Sequence, residues 1–251
     1  MSGHSKWSTI KRKKAAEDAK RGKLFTRLAR EITVAAREGG GDPDANIRLR
    51  LAIEKAKAAN MPKENIERAI QRGTGGGKDA AALEEVTYEG YAPHGVALLV
   101  HALTDNRNRT VAEVRRVFNR RGGTMAEAGA VLWQFDRKGY IAIEPNGVDP
   151  DEVFEIAVEA GAEDIVISDT LIEIYAEPED FQQVREALQA KGLTMATAEL
   201  AMVPKVTVQL GPKETMQVME VIEALEELDD VQQVYSNLDI SDEVLAQYEA
   251  R

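Results

Sequence analysis

A glycine-rich break, Gly73-Thr74-Gly75-Gly76-Gly77, limits what this 251-residue chain can fold into more than any other feature. Before it, apolar residues recur every three or four positions. After it, short runs of Val, Ile and Leu alternate with helical stretches. A helical segment and an α/β segment therefore meet here, and the glycines read as a flexible linker. Gly77-Lys78 also invites a phosphate-loop reading, which two positions defeat. Arg72 stands where the upstream glycine is required, and Asp79 where the metal-binding hydroxyl is required.

Charge divides at the same place. Residues 1–78 hold 19 Lys and Arg against 9 Asp and Glu, a net of +10 in a chain whose total is -11. Such asymmetry suits a basic module for a polyanion, attached to a body that repels the same polyanion. The plainer alternative is a solvated helix face with surplus lysine. Lys6, Lys11, Arg12, Lys13 and Lys14 surround Trp7 in a stretch without amphipathic period. Cations there can meet phosphates; the indole fits equally as a base-stacking ring or as an anchor to the protein's own core.

From Ala15 the pattern is helical. Phe25, Leu28, Ala29, Ile32 and Ala36 form an apolar stripe, and Lys20, Lys23, Arg27 and Arg30 repeat at spacings of 3, 4 and 3 on another face, with Arg21 beside them. Gly22 is a weak point near the start, and Gly39-Gly40-Gly41 the stop. Asp42-Pro43 predicts the N-cap and first residue of a second helix, and Met61-Pro62 a third that stops at Gly73. Arg48 and other cations extend the positive surface. No helix-turn-helix turn is recognisable in the sequence.

Beyond the linker, residues 86–91 and 96–103 read as strands and 106–121 as a helix. That helix carries Arg107, Arg109, Arg115, Arg116, Arg120 and Arg121, either a second polyanion contact or a solvated face. Residues 139–202 follow the order β-α-β-β-α-β of a ferredoxin-like unit. The β-α-β of 96–128 and that of 205–237 each lack a second half, and joining them gives another such unit with the first inserted in its middle. The expected fold is α+β and multi-domain. A basic three-helix domain spans 1–78, a discontinuous ferredoxin-like domain 79–129 and 204–240, an inserted ferredoxin-like domain 130–203, and a short tail 241–251.

Chemistry-bearing motifs are missing from the sequence. His4, His94 and His101 have no metal-ligand spacing, cysteine is absent, and no nucleophile elbow or dinucleotide fingerprint occurs. His101, alternating with apolar neighbours, reads as structural. No apolar stretch approaches membrane-spanning length and the N-terminus is charged, which predicts a cytoplasmic protein without membrane contact. The expectation is a non-enzymatic protein without a cofactor.

Several stretches together resemble the YebC/PmpR family: the opening from Gly3 to about Gly75, YEGYAPHGVALLV, TDNRNRTVAEVR, the RGG at 121–123 and GAVLWQF. The resemblance covers essentially the whole chain. It implies a non-enzymatic, three-lobed protein labelled as a DNA-binding transcriptional regulator, with nucleic-acid contact at Lys6, Trp7, Lys11, Lys13, Lys14, Lys20, Arg21 and Lys23. A similar mitochondrial translational activator implies an alternative: a ribosome-associated factor that lays the same basic face on ribosomal or transfer RNA. The residue reading adds Arg12, Arg27, Arg30, Arg48, Arg107, Arg109 and Arg116 as candidate contacts. It leaves DNA and RNA open, because cation count alone does not name the polyanion.

Overall fold

The computed structural model describes residues 18–75, 83–241 and 244, with side chains from residue 22 onward. Lys6 to Lys14 and the glycine linker from residue 76 lie outside the described residues. So do the side chains of Lys20 and Arg21 and almost all of the expected tail helix.

Three helices come first: α1 (Asp18–Gly39), α2 (Ile47–Ala58) and α3 (Lys63–Thr74). Leu28, Ile32 and Ala36 of α1 pack on Leu49, Ile53 and Ala56 of α2 and on Ile66 and Ala69 of α3, so the expected stripe is the core. Helix α2 starts four residues later than Asp42-Pro43 suggested. Asn46 is the cap: its side-chain oxygen accepts from Leu49 N at 3.0 Å, while its amide donates to the carbonyls of Ala35 (2.8 Å) and Gly40 (2.9 Å). One side chain thus satisfies orphan groups at the end of α1 and the start of α2. Asp42 instead closes a turn, accepting from Asp44 N. Gly73 does not end α3 either. It lies inside the helix, where a Cβ would sit 2.4 Å from the carbonyl oxygen of Thr33. Its role is close approach of α3 to α1.

Two four-stranded sheets follow. Strands β1 (Glu84–Tyr91), β2 (Ala97–Thr104), β3 (Thr124–Met125) and β9 (Val231–Ser236) form one, in the order β3-β1-β2-β9. Helix α4 (Arg107–Arg120) connects β2 to β3 and packs on β1 and β3; α7 (Pro212–Glu226) precedes β9. The expected strand 205–210 is absent from this sheet. Only Val208–Gln209 (β8) is extended, and it pairs in parallel with Leu238–Asp239 (β10). Its expected place is taken by β1, which pairs with β2 along all eight residues. A hairpin closed by a short connection costs less loop entropy than a strand arriving from a hundred residues away. The neighbour pattern is still ferredoxin-like, with one central strand supplied from the front of the unit.

The second sheet contains β4 (Phe135–Ile143), β5 (Asp164–Ile167), β6 (Ile172–Ala176) and β7 (Met195–Pro204) in the order β5-β6-β4-β7, all antiparallel. Helices α5 (Pro150–Glu159) and α6 (Phe181–Ala190) complete the expected β-α-β-β-α-β unit. Asp149 caps α5 by accepting from Asp151 N at 3.0 Å, with Pro150 at the first helical position, as the sequence indicated. The fold is α+β: a helical N-terminal domain, then two ferredoxin-like units.

By packing, the described residues fall into two compact units. One comprises 18–75, 83–131 and 216–234; the other comprises 132–215, 235–241 and 244.

Candidate nucleic-acid interface

The cations that the sequence singles out in the described residues all belong to the first unit. They divide by what they touch. The row on α1 faces the end of α7. Lys23 donates to the carbonyl of Glu227 (3.4 Å) and pairs with Asp229 (3.2 Å). Arg27 donates to the carbonyls of Glu226 and Leu228, and Arg30 to the carbonyl of Asp229 and the carboxylate of Asp230, both at 2.8 Å. The reason is electrostatic. A helix C-terminus exposes unsatisfied carbonyls and the negative end of the helix dipole. Helix α7 has no basic residue in its last turn and continues into Glu227, Asp229 and Asp230. Cations from α1 supply what α7 lacks. Burial pushes the Arg27 guanidinium below its ordinary range, opposed by the nearby carboxylates.

Asp230 is the centre of this contact, with a side chain only 2% exposed. Arg30 reaches one carboxylate oxygen. The other accepts from Arg109 Nη2 (2.7 Å), Thr110 (2.7 Å) and Thr104 (3.2 Å). Burial alone would raise its carboxyl; the hydrogen bonds from Arg109 and Thr110 and the charge of Arg30 hold it below the usual carboxylate range. Arg109 also pairs with Asp105 at 2.8 Å, and its guanidinium is correspondingly raised. Arg48 pairs with Glu38 (2.6 Å) and Glu85 (2.9 Å). Glu85 also lies 3.3 Å from His101 Nε2, and burial pushes that imidazole down. Arg27, Arg30, Arg48 and Arg109 are therefore committed to the protein's own acceptors. Lys23 remains more than half exposed.

A different set is uncommitted. Arg107, Arg115, Arg116 and Arg120 of α4 are exposed, and no hydrogen bond or ion pair engages them among the described residues. On α1–α3, Lys57 and Arg72 share that state. The core side of α4 is fixed by Thr110, Val114 and Phe118, which places Arg116 and Arg120 on its outer side, one turn apart. They line a surface groove of about 330 Å³ together with Lys23, Arg121 and Glu227. Arg121 is tethered to Glu220 at 3.1 Å.

Sequence reasoning named most of these cations and missed their acceptors. The acidic stretch 226–230, directly after a helix whose last turn has no base, was the available signal.

Among the described residues, no group of three His, Asp or Glu is placed to hold a metal ion, and no helix is long and apolar enough to cross a membrane. The TACO1/YebC N-terminal domain matches residues 5–76, and the TACO1/YebC second and third domain matches residues 83–238. The chain belongs to the TACO1/YebC family. Relatives in that family extend over nearly the whole length. A "Probable transcriptional regulatory protein" of Trichlorobacter lovleyi is 56% identical over 241 residues, 96% of this chain and 97% of the relative. One of the same description from Acidithiobacillus ferrooxidans is 56% identical over 250 residues, 100% of this chain and 99% of the relative. A crystal structure of a conserved hypothetical protein from Aquifex aeolicus is 49% identical, with a TM-score of 0.82 over 91% of this chain and 94% of that one.

Proposed function

We propose that the protein is a non-enzymatic regulator of gene expression that binds nucleic acid, DNA in the first instance, through the basic front of the chain. The observation that carries this reading is the charge division: a net of +10 in residues 1–78 of a chain that totals -11. A strong local cation excess on an acidic protein attracts polyanions specifically to one end, since the remainder repels them. The printed description of its relatives as transcriptional regulatory proteins supports the same reading. Arg27 and Arg30 serve the fold, so the nucleic-acid contact rests on Lys6, Lys11, Arg12, Lys13, Lys14, Lys20, Arg21 and Lys23, with Trp7 beside them.

The test is crosslinking in cells followed by sequencing of the nucleic acid recovered with the protein. Enrichment of promoter DNA is the expected result. Enrichment of ribosomal or transfer RNA instead would move the protein to translation, and recovery of neither would end the nucleic-acid reading.

A further inference from the structure

We infer that the groove between α4 and the end of α7 is a second phosphate-binding site, built for the backbone of the same nucleic acid. The inference rests on the proposed function but concerns residues outside the basic front. Four cations converge on this groove: Lys23 from α1, Arg116 and Arg120 from α4, and Arg121 just after it. Elsewhere around the end of α7 the cations are consumed, Arg27 and Arg30 on its carbonyls and acids and Arg109 on Asp230. Arg116 and Arg120 are not. They stand at positions i and i+4, where like charges repel, in a chain with a large surplus of carboxylates. No hydrogen bond or ion pair among the described residues offsets that repulsion. An anion between the two guanidinium groups relieves it, and guanidinium forks match phosphate oxygens in pairs.

The groove's form favours a chain over a small free anion. Arg116 and Arg120 are both exposed and lie in a row along the helix. Such a row tracks a phosphodiester backbone and does not enclose a single ion. Glu227 is the opposing feature: an acidic residue that lines the same groove. That residue makes the inference testable, because removing its charge should favour an anion in the groove.

The experiment is anisotropy titration of a labelled duplex oligonucleotide with the full chain at several salt concentrations. Arg116→Gln/Arg120→Gln should lower affinity and make log K against log salt shallower by about 2, at ~0.9 per phosphate contact. Glu227→Gln should raise affinity severalfold, with circular dichroism unchanged in both variants. If the parent protein does not bind the duplex or a single-stranded RNA of equal length, the proposed function itself fails. If the parent binds and both variants leave affinity and slope unchanged, the groove inference is overturned. A parallel titration with inorganic pyrophosphate separates the sources. Pyrophosphate binding that the arginine variant abolishes, with oligonucleotide binding unaltered, would make this a small-anion site and overturn the backbone assignment.

Discussion

At the scale of single residues, Asp230 ties α1, β2 and α4 to the start of β9. It is buried and engages Arg30, Arg109, Thr104 and Thr110. Removing one partner of a buried ion pair leaves its counter-charges uncompensated and typically costs about 3–5 kcal/mol. Asp230→Ala is therefore expected to lower the urea midpoint strongly without changing the slope. The pH dependence has a definite sign. A carboxyl held below its ordinary value adds stability above the unfolded value of ~3.9 and loses it as pH falls through the lower folded value. The stability gap between the parent and Asp230→Asn should therefore narrow as pH drops below about 4; a gap constant down to pH 2 would contradict the assignment. Gly73 is the second decisive residue. Alanine is the better helix former by about 1 kcal/mol. Even so, Gly73→Ala should destabilise by roughly 1–3 kcal/mol through overpacking, because its Cβ would meet Thr33 O at 2.4 Å. Thermal unfolding of the variant checks this; an unchanged or raised Tm would count against the close approach.

At the scale of elements, the contact of α1 with the end of α7 is a cap supplied in trans by another helix. Arg27 donates to two carbonyls there, so Arg27→Ala is expected to lose about 1.5–3 kcal/mol, typical of hydrogen bonds to charged groups. Lysine should rescue only in part, since its ammonium is more strongly hydrated than a guanidinium and costs more to bury there. Equal stability of Arg27→Ala and the parent, by denaturant unfolding, would argue against the cap. The same elements show what the sequence made legible. Helices α1, α2 and α3 and the β-α-β-β-α-β order follow from periodicity, because an apolar stripe has one face to bury. Local start signals were legible only where nothing distant competed. Asp149-Pro150 starts α5, but Asp42-Pro43 does not start α2, because Asn46 caps that helix while also holding carbonyls of α1. Gly73 read as a stop because a glycine that permits close packing looks the same in sequence as one that ends a helix. The four-stranded sheet containing β1 was misassembled for a related reason. Strand pairing depends on the loop that must be closed as well as on the apolar pattern, and alternation alone does not encode that.

At the scale of the whole molecule, the cation-rich front was plain in the sequence, but the fate of each cation was not. The 3-4-3 spacing of Lys20, Lys23, Arg27 and Arg30 marks a shared helix face without naming what that face meets; Lys23, Arg27 and Arg30 meet carbonyls just beyond the end of α7. Charge run and site are therefore separate properties. Part of the positive charge holds the fold together, while Arg107, Arg115, Arg116 and Arg120 are left exposed. We propose that the front of the chain is what binds a polyanion. The most direct test is the salt dependence of duplex binding by the full chain and by a variant in which Lys11, Arg12, Lys13 and Lys14 are all replaced by glutamine. Much weaker binding by the variant is expected, with a log–log slope shallower by about 3 to 4, at ~0.9 per phosphate contact. Equal affinity and equal slope for the two proteins would contradict it.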